Sequence, residues 1–222
     1  MTEIEIIPAI NEEEFLEIEK KIRLLEPHSK WVHLDAADGT FTKNTLWHEP
    51  QDLAGLETPL SLEVHLMILG LEERIANWLF TNIKRIIFNL EASQDPDFVI
   101  ERIKEAKKEV GISIGPDISW TRFVPYFNKV DLIQILSVWP GLPGQEFQEE
   151  NLDKIIHIKK ECPECIIEVD GGMNPKTAKE AIKAGADIIV SASYIWRSDN
   201  IEKAIENLKA QSVMPTADHL SR

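Results

Sequence analysis

The sequence predicts an α/β protein built as a closed (β/α)8 barrel, a TIM barrel. Short apolar runs alternate with amphipathic stretches from end to end, the pattern of parallel strands joined by crossover helices. The runs number eight, which favours a closed barrel over an open doubly wound sheet. The length of 222 residues sits near the short end of the usual ~200–400 for that fold, so most loops must be brief. A single barrel domain is expected over residues 1–210. A loosely held tail, "QSVMPTADHLSR", follows over 211–222 because it lacks periodicity.

The first strand, "IEIIPAI" (4–10), leads into the helical pattern "NEEEFLEIEKKIRLL" (11–25), where Asn11 before an acidic turn reads as a start signal. "WVHLD" (31–35), "LEVHLM" (62–67) and "RIIFNLEA" (85–92) are the next three strands. Asp95-Pro96 then opens the helix that precedes strand five, "GISIG" (111–115). Strand six is "DLIQILSV" (131–138), followed by the helix "ENLDKIIHIKKE". Strand seven is "IIEVD" (166–170), and Asn174-Pro175 starts the next helix, which Gly185 ends. "DIIVSAS" (187–193) is the eighth strand and "DNIEKAIENLKA" the closing helix.

Composition narrows the function classes. Lys plus Arg total 24 against 38 Asp plus Glu, a formal charge of −14. Such a surface repels phosphodiester backbones and anionic membranes, so neither nucleic acid nor membrane is expected as a partner. A phosphorylated metabolite remains compatible, because backbone N–H groups hold phosphate without a basic patch. No apolar run nears the ~20 residues of a membrane span. The start "MTEIEIIPAI" lacks the features of a signal peptide, and a cytoplasmic location is expected. Cys162 and Cys165, in "CPEC", fall where a helical pattern ends and read as a chain turn rather than a redox pair or zinc site.

Active sites of this fold lie at the C-terminal ends of the strands. There the second strand offers His33 and Asp35, the third His65 and Met67, and the seventh Asp170 before two glycines. A lone strand-end histidine is more often a hydrogen-bonded core residue, and Asp170 alone reads as a loop cap. Together, His33, Asp35, His65 and Asp170 make a nitrogen/oxygen donor set for one divalent metal ion, with zinc, iron, manganese and cobalt all suited. Loops rich in glycine follow strands six and seven, and "SAS" ends strand eight, where this fold usually cradles phosphate.

The segments "HLDAADGTFTKN", "VHLM", "SVWPGLPGQEF" and "EVDGGM", in that order and spacing, resemble the signature segments of the ribulose-phosphate 3-epimerase family. The resemblance covers nearly the whole chain, from "IIPAI" to "VSASYIW". It implies a ribulose-phosphate-binding type of barrel that interconverts D-ribulose 5-phosphate and D-xylulose 5-phosphate, with His33, Asp35, His65 and Asp170 as metal ligands. It further implies that Asp35 and Asp170 act as acid and base at C3, through a metal-stabilised cis-enediolate. Substrate and phosphate contacts would come from Met67, Gly141, Gly144 and Gln145, and from Gly171, Gly172, Ala192 and Ser193. Relatives assemble as dimers or larger, so a homo-oligomer fits the resemblance, although the sequence carries no interface signal.

Several positions depart from the family pattern. Ala9 replaces a serine, Ala37 and Leu136 replace methionines, Asn89 replaces a histidine and Trp139 an asparagine. Pro143 and Ala192 each replace a glycine, and Gln134 stands where an apolar residue is usual. Ala37 and Ala9 are expected to leave space beside the substrate. That space raises two alternatives: epimerisation of another ketose phosphate such as D-allulose 6-phosphate, or a catalytically silent barrel that only binds sugar phosphate. Retention of all four ligand residues argues against the silent reading.

Overall fold

The computed structural model describes residues 4–141 and 145–212. Eight parallel strands close into a barrel in chain order, each hydrogen-bonded to the next and β8 to β1. They are β1 (Glu5–Ile10), β2 (Trp31–Ala37), β3 (Ser61–Met67), β4 (Arg85–Asn89), β5 (Glu109–Ile114), β6 (Leu132–Leu136), β7 (Ile167–Asp170) and β8 (Ile188–Ser191). All eight coincide with the apolar runs of the sequence.

The helices pack outside this barrel: α1 (Phe15–Leu25), the short α2 (Leu71–Arg74) and α3 (Ala76–Leu79), α4 (Pro96–Glu105), α5 (Asn151–Glu161), α6 (Pro175–Ala184), the single turn α7 (Ser193–Trp196) and α8 (Ile201–Lys209). Between β5 and β6 the crossover is only a 3-10 segment, Trp120–Tyr126, with Pro125 inside it. Asp95 caps α4 by accepting from Phe98 N, and Asn174 caps α6 in a reciprocal box with Thr177. Gly185 takes φ +118° after α6, and a Cβ there would fall 2.8 Å from Lys159 Cγ, so glycine is required both by the turn and by the close approach.

Two of the sequence expectations change. Asn11 does not cap α1, whose N-terminal flanking residue is Glu14; its side chain turns inward instead, as described below. Cys162 and Cys165 do sit in the turn after α5, where Cys165 N bonds Cys162 O at 3.1 Å, and they are joined there by a disulfide. At the C-terminus, Ala210–Ser212 forms one more 3-10 turn, and the rest of the tail lies outside the described residues.

Strand alternation divides the core in two. Val32, Leu34, Val64, Leu66, Phe88, Ile112, Ile133 and Val169 face the helices in one continuous apolar layer. Residues of the opposite phase point into the barrel, among them the small apolar group Ile7, Ala9, Ile87, Leu132, Ile188 and Val190. On β2, β3 and β7 the interior positions include the polar residues His33, Asp35, Glu63, His65, Glu168 and Asp170, and they make the site. Among the described residues, no helix is long and apolar enough to cross a membrane.

Candidate metal and active site

Register places the key side chains side by side. Asp35 on β2 pairs with His65 on β3, and His33 pairs with Glu63. Asp170 ends β7 beside Leu136. Because the side-chain period of a strand is two, His33 and Asp35 share the interior face with His65 and Met67. The structure thus brings His33, Asp35, His65 and Asp170 together, with one candidate ligand atom from each within 4.8 Å of the others.

The hydrogen bonds inside this group are ordered. Asp35 Oδ1 lies 3.3 Å from both His33 Nε2 and His65 Nδ1. Each ring directs its other nitrogen away from the group: His33 Nδ1 to Glu63 Oε1 at 2.7 Å, and His65 Nε2 to Asn89 Oδ1 at 2.9 Å. An acceptor behind each imidazole keeps a proton on the outer nitrogen and leaves the inner one available. That arrangement, with two carboxylates completing the set, fits a borderline divalent cation.

The two aspartates are pushed apart in acidity. Burial alone would raise Asp35, but hydrogen bonds from His33 and His65 outweigh it and hold this carboxyl well below its usual range. Asp170 is raised to about 6, first by burial and then by the negative charge of Asp35. His33 is raised despite burial, because Asp35 and Glu63 both stabilise the imidazolium. A cation bound among these groups would therefore compete with protons for His33 and Asp170.

A pocket opens above this group. Met67, Gly141, Gln145, Gly171, Gly172, Ala192 and Ser193 all line it together with Asp35, His65 and Asp170. Gly144 and Pro143 lie outside the described residues. Gly172 has φ +65°, and a Cβ there would sit 2.8 Å from Phe147 N, so the loop after β7 can pass the loop after β6 only with glycine. Ser137 supports the same turn from below, its hydroxyl donating to Asp170 O at 2.8 Å and Gly171 O at 2.6 Å.

The space expected at Ala9 and Ala37 is not there. Neither residue lines the pocket; both are fully buried. Leu46, from the long loop after β2, packs with Met67 and the partly buried Phe41 against Ala37, and Trp196 Nε1 donates to Ala9 O at 2.7 Å. At Ala37, loop side chains invisible to strand-by-strand reading take up the volume that a larger strand residue would fill. Trp139 is half exposed on the pocket wall, and Leu136 contributes to its floor.

Three site residues were missed by sequence reasoning. Asn11 Nδ2 donates to Asp35 Oδ2 and lines the pocket; its place just past the end of β1 was the only signal. Glu63 and Glu168 are wholly buried in the barrel interior, at alternating positions with the ligands on the same strands. Gln134 is explained by the latter, since its Nε2 donates to Glu168 Oε1 at 2.9 Å from the neighbouring register position. Glu168 is raised well above the usual carboxyl range by burial and then by Glu63.

Residues 5–196 match the model of the ribulose-phosphate 3 epimerase family. The chain belongs to that family. It is 35% identical over 188 residues to ribulose-phosphate 3-epimerase from Chlamydia pneumoniae, covering 81% of each chain. The enzyme of the same name from Schizosaccharomyces pombe is 29% identical over 226 residues, covering 97% of this chain and 99% of that one. Family membership makes the protein an isomerase, an epimerase of pentose phosphates. Among solved structures, 3-hexulose-6-phosphate synthase from Salmonella typhimurium superposes with a TM-score of 0.70 at 12% identity, covering 94% of this chain and 98% of that one. Orotidine 5'-phosphate decarboxylase from Pyrococcus horikoshii superposes with a TM-score of 0.66 at 16% identity, covering 93% and 98%. At such identities the likeness speaks for the barrel alone.

Proposed function

We propose that the protein interconverts D-ribulose 5-phosphate and D-xylulose 5-phosphate, with Asp35 and Asp170 exchanging the proton at C3. The observation that carries this reading is a buried and a partly buried carboxyl meeting from β2 and β7 in one pocket, their acidities driven in opposite directions. Two neighbouring acids set apart by their surroundings are the usual mark of a base and an acid working on one substrate.

His33, His65, Asp35 and Asp170 would hold one divalent cation, and zinc, iron, manganese or cobalt each suits the set. When bound, that cation would supply Lewis-acid stabilisation for negative charge developing on the sugar oxygens. The protein's own groups do the rest. Asp35, kept ionised by the two histidines, takes the C3 proton. Asp170, raised to about 6, returns one to the other face, and the roles exchange in the reverse direction. Asn11 donates to the Asp35 oxygen that does not face the histidines, fixing the carboxylate's plane.

Gly171, Gly172, Ala192 and Ser193 stand where the loops after β7 and β8 meet, the phosphate position of this architecture. Anchoring the phosphate there holds the sugar against rotation while its C3 changes hand. Leu46 and Met67 pack against Ala37 and leave neither Ala37 nor Ala9 on the pocket lining, which supports the five-carbon ketose over D-allulose 6-phosphate.

Solvent deuterium incorporation at C3 of D-ribulose 5-phosphate, followed by NMR, tests the proposal. Exchange with formation of xylulose 5-phosphate is expected in protein loaded with Zn2+, lost after chelation and lost in Asp170→Asn. No exchange in the loaded wild type would overturn the reading. Turnover of D-allulose 6-phosphate in preference to the pentulose would establish the alternative.

A further inference from the structure

An imidazole can offer a lone pair to a cation only when its other nitrogen carries the proton. His65 meets this condition through a neutral acceptor, Asn89 Oδ1. His33 meets it through a charged one that is itself held on both sides. Glu63 Oε1 lies 2.7 Å from His33 Nδ1, while Glu63 Oε2 accepts from Arg85 Nη1 at 2.7 Å. Arg85 in turn donates through Nε to Glu109 at 2.8 Å, and its guanidinium lies 4.4 Å from the centre of the Trp31 ring.

The second buried glutamate does not share this task. Glu168 Oε1 is 3.9 Å from His33 Nδ1, beyond hydrogen-bonding range, and is taken by Gln134. His33, Glu63 and Glu168 do form a compact trio of possible ligands. The guanidinium against Glu63, however, places a fixed positive charge beside any cation bound among them.

We propose that Glu63, clamped by Arg85, is a positioning residue that keeps a proton on His33 Nδ1 and reserves His33 Nε2 for the divalent cation. The inference rests on the metal site of the proposed function but makes a separate demand on the chain. A carboxylate can accept from both sides at once, whereas an amide has one oxygen and one donor group. In Glu63→Gln, Arg85 has only donors and claims the oxygen. The amide NH2 then faces His33 Nδ1, which must accept, and the ring proton moves to Nε2. The variant keeps size and hydrogen-bond count yet turns the histidine the wrong way. Removing Arg85 as well frees the amide to rotate, and it avoids leaving the guanidinium without its buried carboxylate partner.

Long-range 1H–15N NMR of the histidine rings, combined with Zn2+ affinity from chelator competition, tests the clamp. In the wild type, His33 Nδ1 carries a proton with and without Zn2+, and one zinc binds per chain. Glu63→Gln is expected to lose the Nδ1 proton and to weaken zinc binding about 10–100-fold, the usual range for such outer partners of a ligand. Adding Arg85→Met to Glu63→Gln should return the Nδ1 proton and most of the affinity, a rescue that simple structural damage would not allow. A bare Nδ1 in the wild type would overturn the proposal even if the variants fail to fold. So would Glu63→Gln with a retained Nδ1 proton and unchanged affinity, or a second zinc lost with Glu63. Wild-type protein that binds one zinc and shows the Nδ1 proton, yet exchanges no C3 hydrogen, would refute the proposed function and leave the clamp standing.

Discussion

Replacing Asp170 with asparagine removes a partly buried carboxyl that the metal-free protein is ill suited to ionise. Burial and the charge of Asp35 lift Asp170 from 3.8 to about 6, which corresponds to about 3 kcal/mol between its two protonation states. The sign follows from linkage. A carboxyl raised in the folded state makes its full favourable contribution below its unfolded value and loses it as pH climbs through the folded one. In chelator-treated protein that contribution is partly lost by about pH 4.5 and almost wholly lost by about pH 7.5.

Asparagine has nearly the same shape and no charge at either pH. The stability of Asp170→Asn relative to wild type should therefore rise by about 2 kcal/mol between those two pH values. For a chain of this size that is a relative gain of about 4–8 °C in melting temperature. Urea or thermal unfolding of both proteins, with chelator present throughout, gives the difference directly. Excess Zn2+ should reverse the order near neutral pH, because only the wild type has the full ligand set and gains its binding energy. A stability difference that does not change with pH in the chelated state would refute the assignment of Asp170 as the strained acid.

Three further outcomes follow from the same geometry. Zn2+ affinity, measured by chelator competition, should climb with pH across the acidic and neutral range, since binding displaces the protons favoured by the raised His33 and Asp170; a pH-independent affinity would contradict the ligand set. Ala37→Met should destabilise the protein by about 1–3 kcal/mol in urea unfolding, because Leu46 and Met67 already fill the space, and a neutral result would mean that the strand residue does have room. Gly172→Ala should raise KM for the sugar phosphate more than it lowers kcat, with a stability loss of about 1–3 kcal/mol, since a Cβ there meets the Phe147 backbone at a left-handed φ. Steady-state kinetics with unchanged KM would separate Gly172 from substrate binding.

The strands were legible because each is an uninterrupted apolar run between turn signals, and the chemistry at their ends was legible because barrel geometry sends those ends to one place. His33, Asp35, His65 and Asp170 could be brought together on that argument before any side chain was seen. What could not be read was who stands behind them. A glutamate within a strand, such as Glu63 or Glu168, looks in sequence like a position on a solvated face, and becomes a buried partner only when the barrel closes around it. Asn11 carried a helix-start signal, but the demand of Asp35 for a donor won, and α1 began at Phe15 without a side-chain cap. Leu46 filled the volume opposite Ala37 from a loop whose path no periodicity foretells. These misses have one physical source. Local pattern fixes which way a side chain points, whereas its partner depends on closure and on loop packing across long separations in the chain. The departures from the family pattern obey the same rule. Asn89 still supplies an acceptor to His65, Gln134 answers a buried glutamate, and Ala37 is covered by Leu46. Each of these replacements meets a side chain on another element. Changes met in this way preserve the donors around the candidate metal site while changing the atoms that deliver them, which is what retention of the reaction in a diverged barrel requires.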